Sequence, residues 1–164
     1  MEFMKPHFYL LLSCLALCTA CGSQQIKGQS PFVGISSMSV QDNTLSTIFD
    51  IHNINDVELD IDAIDIKIRG HDIELVHYIK DVDLKVDPNT TEEATLEAIP
   101  DSGARHLLTQ LDSGKVSSLP FSLEGRIHTQ KDGYLSFKQE GHLYPVPGRP
   151  GQFRSASSRS REQR

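Results

Sequence analysis

Three cysteines are the residues whose placement most directly implies chemistry in this chain. Cys14, Cys18 and Cys21 all lie near the N-terminus, and no cysteine follows Cys21. A thiol can form a disulfide, bind a metal or carry an acyl chain. If a leader were removed just before Cys21, one thiol would remain and no disulfide partner would be left for it. The placement therefore favours acylation of Cys21. The alternative is a plain leader with incidental cysteines.

Aspartates and histidines are the other side chains that could do chemistry. Asp60, Asp62 and Asp65 are closely spaced, but they lack the glycine and the distal glutamate of a calcium-binding loop. We interpret them as solvated charges on a strand edge, which hinder pairing between sheets. His77 falls on an apolar face and is predicted to be a hydrogen-bonded core residue. The chain has no nucleophile elbow, zinc-protease motif or phosphate loop. We therefore expect no enzyme activity, metal or cofactor.

The first 20 residues have the composition of a secretory signal peptide. An apolar run from Phe8 to Leu17 follows Lys5 and leads into small residues. A run of about ten apolar residues is too short to cross a bilayer as a stable helix, and it is typical of an export signal. Initiation at Met4 instead of Met1 would give a more typical signal, so we expect Met4 to be the true start, with Met1 as the alternative.

The residues around Cys21 resemble the lipobox of bacterial lipoproteins. Ala20 stands at the cleavage point, and in that class the signal is cut before the cysteine, which then carries lipid. The resemblance implies a signal peptide over 1–20, a tether over 21–30 and attachment to a membrane through Cys21. Gly22-Ser23 lacks the aspartate that retains such proteins at the inner membrane. The expected location is the outer membrane, facing the periplasm.

Charge is distributed unevenly along the chain. The net charge is −6, although the last sixteen residues contain five arginines and one glutamate. The remainder is therefore more acidic than the total, which argues against nucleic acid as a partner. Residues 148–164 are rich in arginine and serine and poor in apolar residues. This composition predicts a disordered tail.

Alternation of apolar and polar residues predicts β-strands along the body. Mostly apolar residues alternate with more polar ones in three segments, which are Leu45 to Ile51, Ile73 to Ile79 and, most clearly, Leu119 to Ile127. Between Ala63 and Ile64 the apolar positions change from odd to even numbers, which predicts a β-bulge. Asp132-Gly133 is predicted to be the turn of a hairpin.

One segment has a helical pattern. Asp101 or Ser102 is suited to cap a short helix that carries Leu107, Leu108 and Leu111 on one side and ends at Ser113-Gly114. About seven strands and this helix predict an all-β fold, an antiparallel β-sandwich of the immunoglobulin or fibronectin-III type. The length allows one such domain, over residues 31–147.

Segments of the body resemble the WHy domain, the water-stress-and-hypersensitive-response domain of the late embryogenesis abundant type 2 family. Phe49-Asp-Ile-His-Asn-Ile-Asn55 is similar to the family strand that ends in Asn-Pro-Asn, with Ile54 in place of proline. Leu59 to Gly70 matches the long strand pair that closes on a glycine, Phe121 to Gly125 the late apolar strand, and Gly141 to Val146 the last strand. Asn53, Asn55, Gly70, Gly125 and Gly141 are the motif positions, and their expected role is structural.

The family resemblance implies protection against desiccation and other water stress. We expect a non-enzymatic, membrane-anchored, monomeric lipoprotein that shields membranes or partly unfolded client proteins, and whose negative charge limits association of the clients. Two alternatives stay open. One is an envelope lipoprotein that docks onto an assembly through an edge strand or a loop. The other is a carrier of lipid or a small ligand between its sheets.

Overall fold

The body is an antiparallel sheet of eight strands with one helix. The computed structural model describes residues 28–158. The elements are β1 Phe32–Gln41, β2 Thr44–His52, β3 Leu59–Gly70, β4 Ile73–Val86, β5 Thr91–Ala98, α1 Ser102–Asp112, β6 Leu119–Thr129, β7 Gly133–Pro145 and β8 Gln152–Ser158. The strand order is β4-β3-β6-β7-β8-β1-β2-β5, which makes β4 and β5 the edges. The all-β antiparallel prediction is confirmed, with eight strands instead of about seven.

The sheet curls until it is nearly closed. β4 and β5 lie at opposite ends of the strand order, yet they contact each other. Tyr78 on β4 reaches across the interior to β2, where its hydroxyl lies 2.8 Å from Thr47 Oγ1 and its ring packs edge-on against Phe49. The core therefore fills the inside of a single curved sheet.

The turns of the sheet gather at two ends. The proximal end contains Gly28, the loop 53–58, the turn 87–90 and the hairpin turn 130–132. The distal end contains the turns 42–43 and 71–72, the helix α1 and the loop 146–151. Because β1 starts at the proximal end and β8 finishes there, both ends of the described chain lie on the same side of the body.

Strands β2 and β6 follow the predicted phase. The buried core positions of these two strands are Leu45, Thr47, Phe49 and Ile51 on β2, and Leu119, Phe121, Leu123 and Ile127 on β6. The predicted bulge is also present, since the pairing of β3 with both neighbours shifts between Ile61 and Ala63. The extra residue keeps the apolar side chains on either side of it inside the core.

Helix α1 covers the distal end of the sheet. Asp101 is its N-cap, and the Asp101 carboxylate accepts a hydrogen bond of 2.7 Å from the amide of Ala104. Leu108 and Leu111 are buried, and the chain leaves the helix through Gly114, whose φ is +71°. The predicted helix, its cap and its end are confirmed.

The sequence prediction for residues 148–164 is wrong over residues 152–158, which form β8. This strand pairs with both β7 and β1, so it is internal to the sheet. Phe153 is buried in the core, and the Ser155 hydroxyl donates a hydrogen bond to the Ile35 carbonyl. The predicted disorder of residues 159–164 lies outside the described residues. The structured body therefore extends beyond residue 147.

Candidate functional site

The predicted anchor lies outside the described residues. This applies to Cys21, to the signal peptide over 1–20 and to both start residues, Met1 and Met4. The described chain begins at Gly28, whose amide donates a 3.0 Å hydrogen bond to the Asp132 carboxylate in the hairpin turn. The beginning of the body is thus fastened to the proximal end.

Asn53 joins three segments at the proximal end. Its side chain is fully buried, and its Nδ2 lies 2.8 Å from the Val57 carbonyl, 3.0 Å from the Val86 carbonyl and 3.3 Å from the Asp87 carbonyl. Its Oδ1 accepts a 2.9 Å hydrogen bond from the amide of Asn55. One amide group therefore connects the end of β2 to the loop 53–58 and to the end of β4.

Asn55 continues this network towards the N-terminal segment. It exchanges two hydrogen bonds with the backbone of Gln29, of 2.8 and 2.9 Å. Neither Asn53 nor Asn55 has a positive φ. The structural contribution of these two residues comes from their side-chain amides and not from a left-handed backbone.

Two of the motif glycines allow close packing between strands. A Cβ added at Gly125 would lie 2.4 Å from the Asp65 carbonyl oxygen, and one at Gly141 would lie 2.6 Å from the Ala156 carbonyl oxygen. In the β6–β7 pairing, Gly125 stands opposite Phe137 and Gly141 opposite Phe121. Each phenylalanine covers its partner glycine, an arrangement that stabilises a glycine within a sheet. Gly70, at the end of β3, is buried against Leu119.

The three aspartates of β3 are not charges on a strand edge, because β3 lies between β4 and β6. Each one contacts a basic or titratable side chain on a neighbouring strand. Asp60 lies 3.4 Å from Lys85 Nζ, Asp62 lies 2.6 Å from His128 Nδ1, and Asp65 lies 3.0 Å from an Arg126 guanidinium nitrogen. We define this row as the β3 polar ladder. It stabilises strand pairing on the outer face.

His77 belongs to the same ladder, and its prediction as a core residue is wrong. It is exposed, and its Nε2 donates a 2.7 Å hydrogen bond to Asp65 Oδ1. This bond, together with the contact to Arg126, lowers the pKa of Asp65 although burial opposes the change. Val76 and Tyr78 are the buried neighbours of His77, so the buried phase of β4 is opposite to the predicted one at this point.

Two aromatic pairs on the outer face near the proximal end were not indicated by the sequence. Phe32 stacks on His52 with ring centroids 6.4 Å apart. Tyr134 packs against His128 at 4.7 Å, and the Arg126 guanidinium lies 5.0 Å from the Tyr134 ring centre. The partners in each pair come from different strands, so only the strand register reveals them.

Two shallow grooves lie beside the C-terminal end of α1. Their volumes are about 300 and 350 Å³, and Asp112 and Pro150 line both. Arg149 lines the first groove and Arg105 the second. The Asp112 carboxylate accepts a 2.7 Å hydrogen bond from the amide of Gly151, which fixes the loop 146–151 against the helix. The grooves are therefore features of the distal end.

Residues 28–158 contain neither a cluster of metal-ligating side chains nor a membrane-crossing helix. Within this range no three histidine, cysteine, aspartate or glutamate side chains are placed to share a metal ion. In the same part of the chain no helix is both long enough and apolar enough to cross a bilayer.

Comparison with known proteins finds solved structures of low similarity and no family. No protein-family model matches the chain, and no curated protein matches it in sequence. In structure the chain is similar to a protein from Archaeoglobus fulgidus, with 16% identity and a TM-score of 0.44 over 70% of this chain and 96% of that one. It is also similar to the Northeast Structural Genomics Consortium target SoR45, with 12% identity and a TM-score of 0.44 over 74% and 90% of the two chains. Neither likeness bears on function.

Proposed function

We propose that this protein is a non-enzymatic, lipid-anchored lipoprotein that protects proteins or membranes during water stress, a member of the WHy class. The lipobox-like residues up to Cys21 support attachment to the outer membrane, facing the periplasm. The body would then stand on a short tether as a single monomeric domain. Its curled sheet would correspond to the sandwich of the family, with two halves packed face to face.

The observation that carries the proposal is the position of Asn53. This residue is the first asparagine of the segment that resembles the Asn-Pro-Asn of the family, and it is the fully buried amide that joins three segments of the proximal end. A residue with this structural role is what the family resemblance leads us to expect at a motif position. It supports membership in the class through packing and not through catalysis.

The acidic edge β5 supports the proposed mechanism. The exposed charged side chains of this strand are all acidic, namely Glu92, Glu93 and Glu97. Edge strands have free backbone groups that attract extended segments of unfolded chains, whereas like charges along them oppose stable pairing. Contact with a partly unfolded client would therefore be weak and brief. The negative charge of the bound protein would then repel other client molecules and keep the client in solution.

A survival experiment tests the protective function. A sensitive enzyme is dried or frozen and thawed with the soluble body, residues 22–164, which retains β8. The control is an equal mass of an inert protein of similar size. We expect more enzyme activity to survive with the body at an equimolar ratio. Equal survival in the two samples would contradict the proposal.

The anchor is tested separately. We expect the mature protein to have the mass of a chain that begins at Cys21 and carries acyl chains, and to sediment with membranes. The Cys21→Ala variant should be unacylated and should leave the membrane fraction, because several acyl chains hold such a protein firmly to a bilayer and the variant has none. If the variant and the original chain distribute alike, the anchor is not at Cys21.

A docking module is the second candidate function, and Ile79 favours it. This side chain is 69% exposed in the middle of edge strand β4. A partner could pair with that edge and cover the isoleucine. Cross-linking in intact membranes would then recover one partner in constant proportion, and the Ile79→Lys variant would lose it. Recovery of the same proteins with both chains would contradict docking at this edge.

A further inference from the structure

The two large aromatic rings that are exposed among the described residues both lie at the proximal end. Six large apolar residues are exposed among the described residues, and three of them lie there: Phe32 at 58%, Val57 at 47% and Tyr134 at 57%. Single exposed apolar residues are common on protein surfaces. A group that includes two aromatic rings at one end of a small domain is less common, and it suggests a surface that contacts another phase or molecule.

The two rings lie on the outer face near the proximal ends of β1 and β7, and the pairing through β8 staggers them along the strand direction. Phe32 is opposite His52 in the terminal pair of β1 and β2, and Tyr134 is opposite His128, one pair from the hairpin turn. Only β8 separates the strands β7 and β1 that carry the rings, so their strands are about 10 Å apart. Val57 lies in the loop 53–58 at the same end.

The short segment between Cys21 and Gly28 determines which end of the body lies near the proposed lipid anchor. Gly28 is held at the proximal end by Asp132, and Cys21 precedes Gly28 by seven residues. A fully extended segment of that length spans at most about 24 Å. A lipid anchor at Cys21 would therefore keep this end, and not the distal end, close to the bilayer.

The chemistry of the side chains suits the region of the lipid headgroups. Aromatic rings with polar partners are typical of residues at membrane interfaces, where one part is apolar and another is wet. Tyr134 has the guanidinium of Arg126 and the imidazole of His128 beside it. The exposed carboxylates of Asp56 and Asp87 lie at the same end, and they disfavour an anionic bilayer.

We propose that the proximal end is a membrane-contacting surface, in which Phe32, Val57 and Tyr134 enter the headgroup region of a zwitterionic bilayer. The inference rests on the lipid anchor of the proposed function and adds an orientation to it. Helix α1 and the distal grooves face away from the membrane. The acidic edge β5 stands upright and stays accessible to clients.

The absence of tryptophan from the chain allows a direct test. Three single variants, Phe32→Trp, Tyr134→Trp and Ile99→Trp, each place one fluorophore on the body. Ile99 is the matched control, because it is 78% exposed and lies at the distal end between β5 and α1. Each lipidated mature protein is reconstituted into phosphatidylcholine vesicles in which part of the lipid has brominated acyl chains near the headgroup.

The expected result is that bromine quenches the fluorescence of the Phe32→Trp and Tyr134→Trp variants at least twofold more strongly than that of the Ile99→Trp variant. Vesicle flotation and circular dichroism are measured on the same samples. If the proteins float and are folded but the three variants are quenched equally, or not at all, the membrane-contacting surface is refuted and the anchor stands. If the proteins do not float with the vesicles, the anchor of the proposed function fails first, and the orientation fails with it. Repetition with phosphatidylglycerol vesicles should give weaker quenching at the proximal positions.

Discussion

Asn53 and Tyr78 each bury a polar group that forms hydrogen bonds to other segments of the fold. Both side chains are almost completely excluded from solvent, and both have hydrogen-bond partners on other strands or loops. A buried polar group of this kind stabilises one arrangement of the chain over its alternatives, because any shift leaves the group unpaired. The contribution of each buried polar group can be tested with a substitution that removes its polar atoms.

Asn53→Ala should be strongly destabilising. The substitution removes the donor shared by the Val57 and Val86 carbonyls and the acceptor used by the Asn55 amide. We expect a loss of about 3 kcal/mol in the free energy of unfolding, measured by urea denaturation, because buried groups lose their partners. Asn55→Ala is the control and should cost about 1 kcal/mol, since its partners are closer to solvent. Equal losses would contradict the role assigned to Asn53.

Tyr78 should make stability depend on alkaline pH. Burial raises the pKa of Tyr78 from 10.0 to about 12. Between these two values the unfolded state loses a proton that the folded state keeps, so the stability contributed by Tyr78 is present below pH 10 and is lost as the pH rises towards 12. Tyr78→Phe should be less stable than the original chain by about 1 kcal/mol at pH 7. The difference should shrink between pH 10 and pH 12. A constant difference across this range would contradict the account.

At the scale of elements, β8 is the strand whose sequence gives least indication of its structure. Its segment is rich in serine and arginine, and Phe153 is its one large apolar residue. The strand nevertheless pairs on both sides, with β7 and with β1, and completes the middle of the sheet. Its stability comes from backbone pairing and one buried ring, and a composition argument detects neither.

Removal of the Phe153 ring should therefore destabilise the whole body. We expect Phe153→Ala to lower the free energy of unfolding by about 3–5 kcal/mol, because the side chain is 1% exposed and leaves a cavity in the core. Ser157→Ala, at an exposed position of the same strand, should change it by less than about 0.5 kcal/mol. Thermal unfolding followed by circular dichroism measures both. A chain that ends at residue 148 should lose cooperative unfolding, and one that ends at residue 158 should keep it.

Strands and helices with a regular sequence pattern could be predicted, but the strands that lie next to each other in the sheet could not. The alternation in β2 and β6, the bulge in β3 and the cap of α1 are local signals, and each is present in the structure. β4 departs from its pattern because Leu75 and Val76 are both buried, where the pairing with β3 is irregular. The β3 polar ladder and the ring pairs at the proximal end depend on which strands are neighbours, and periodicity does not specify neighbours.

At the scale of the whole molecule, the two ends of the body differ in what they expose. The proximal end holds the start of the body and its exposed rings, and the distal end holds α1 and the grooves. Between them lie the two edge strands β4 and β5, which contact each other, and β5 has a row of exposed carboxylates. A tethered domain built in this way would present an acidic strand at a short distance from a membrane. Lipid would contact the proximal end, and client proteins would contact the edge strand β5.

The acidic edge β5 provides the most direct test of protection by this surface. The triple variant Glu92→Gln, Glu93→Gln and Glu97→Gln removes three exposed negative charges and leaves the pairing of β5 with β2 in place. The measurement is light scattering from a model enzyme that aggregates during freeze–thaw, with the original body, with the variant and with an inert protein. We predict the least scattering with the original body and more with the variant, because the charge opposes association of clients. If the original body gives the same scattering as the inert protein, the protective function is contradicted.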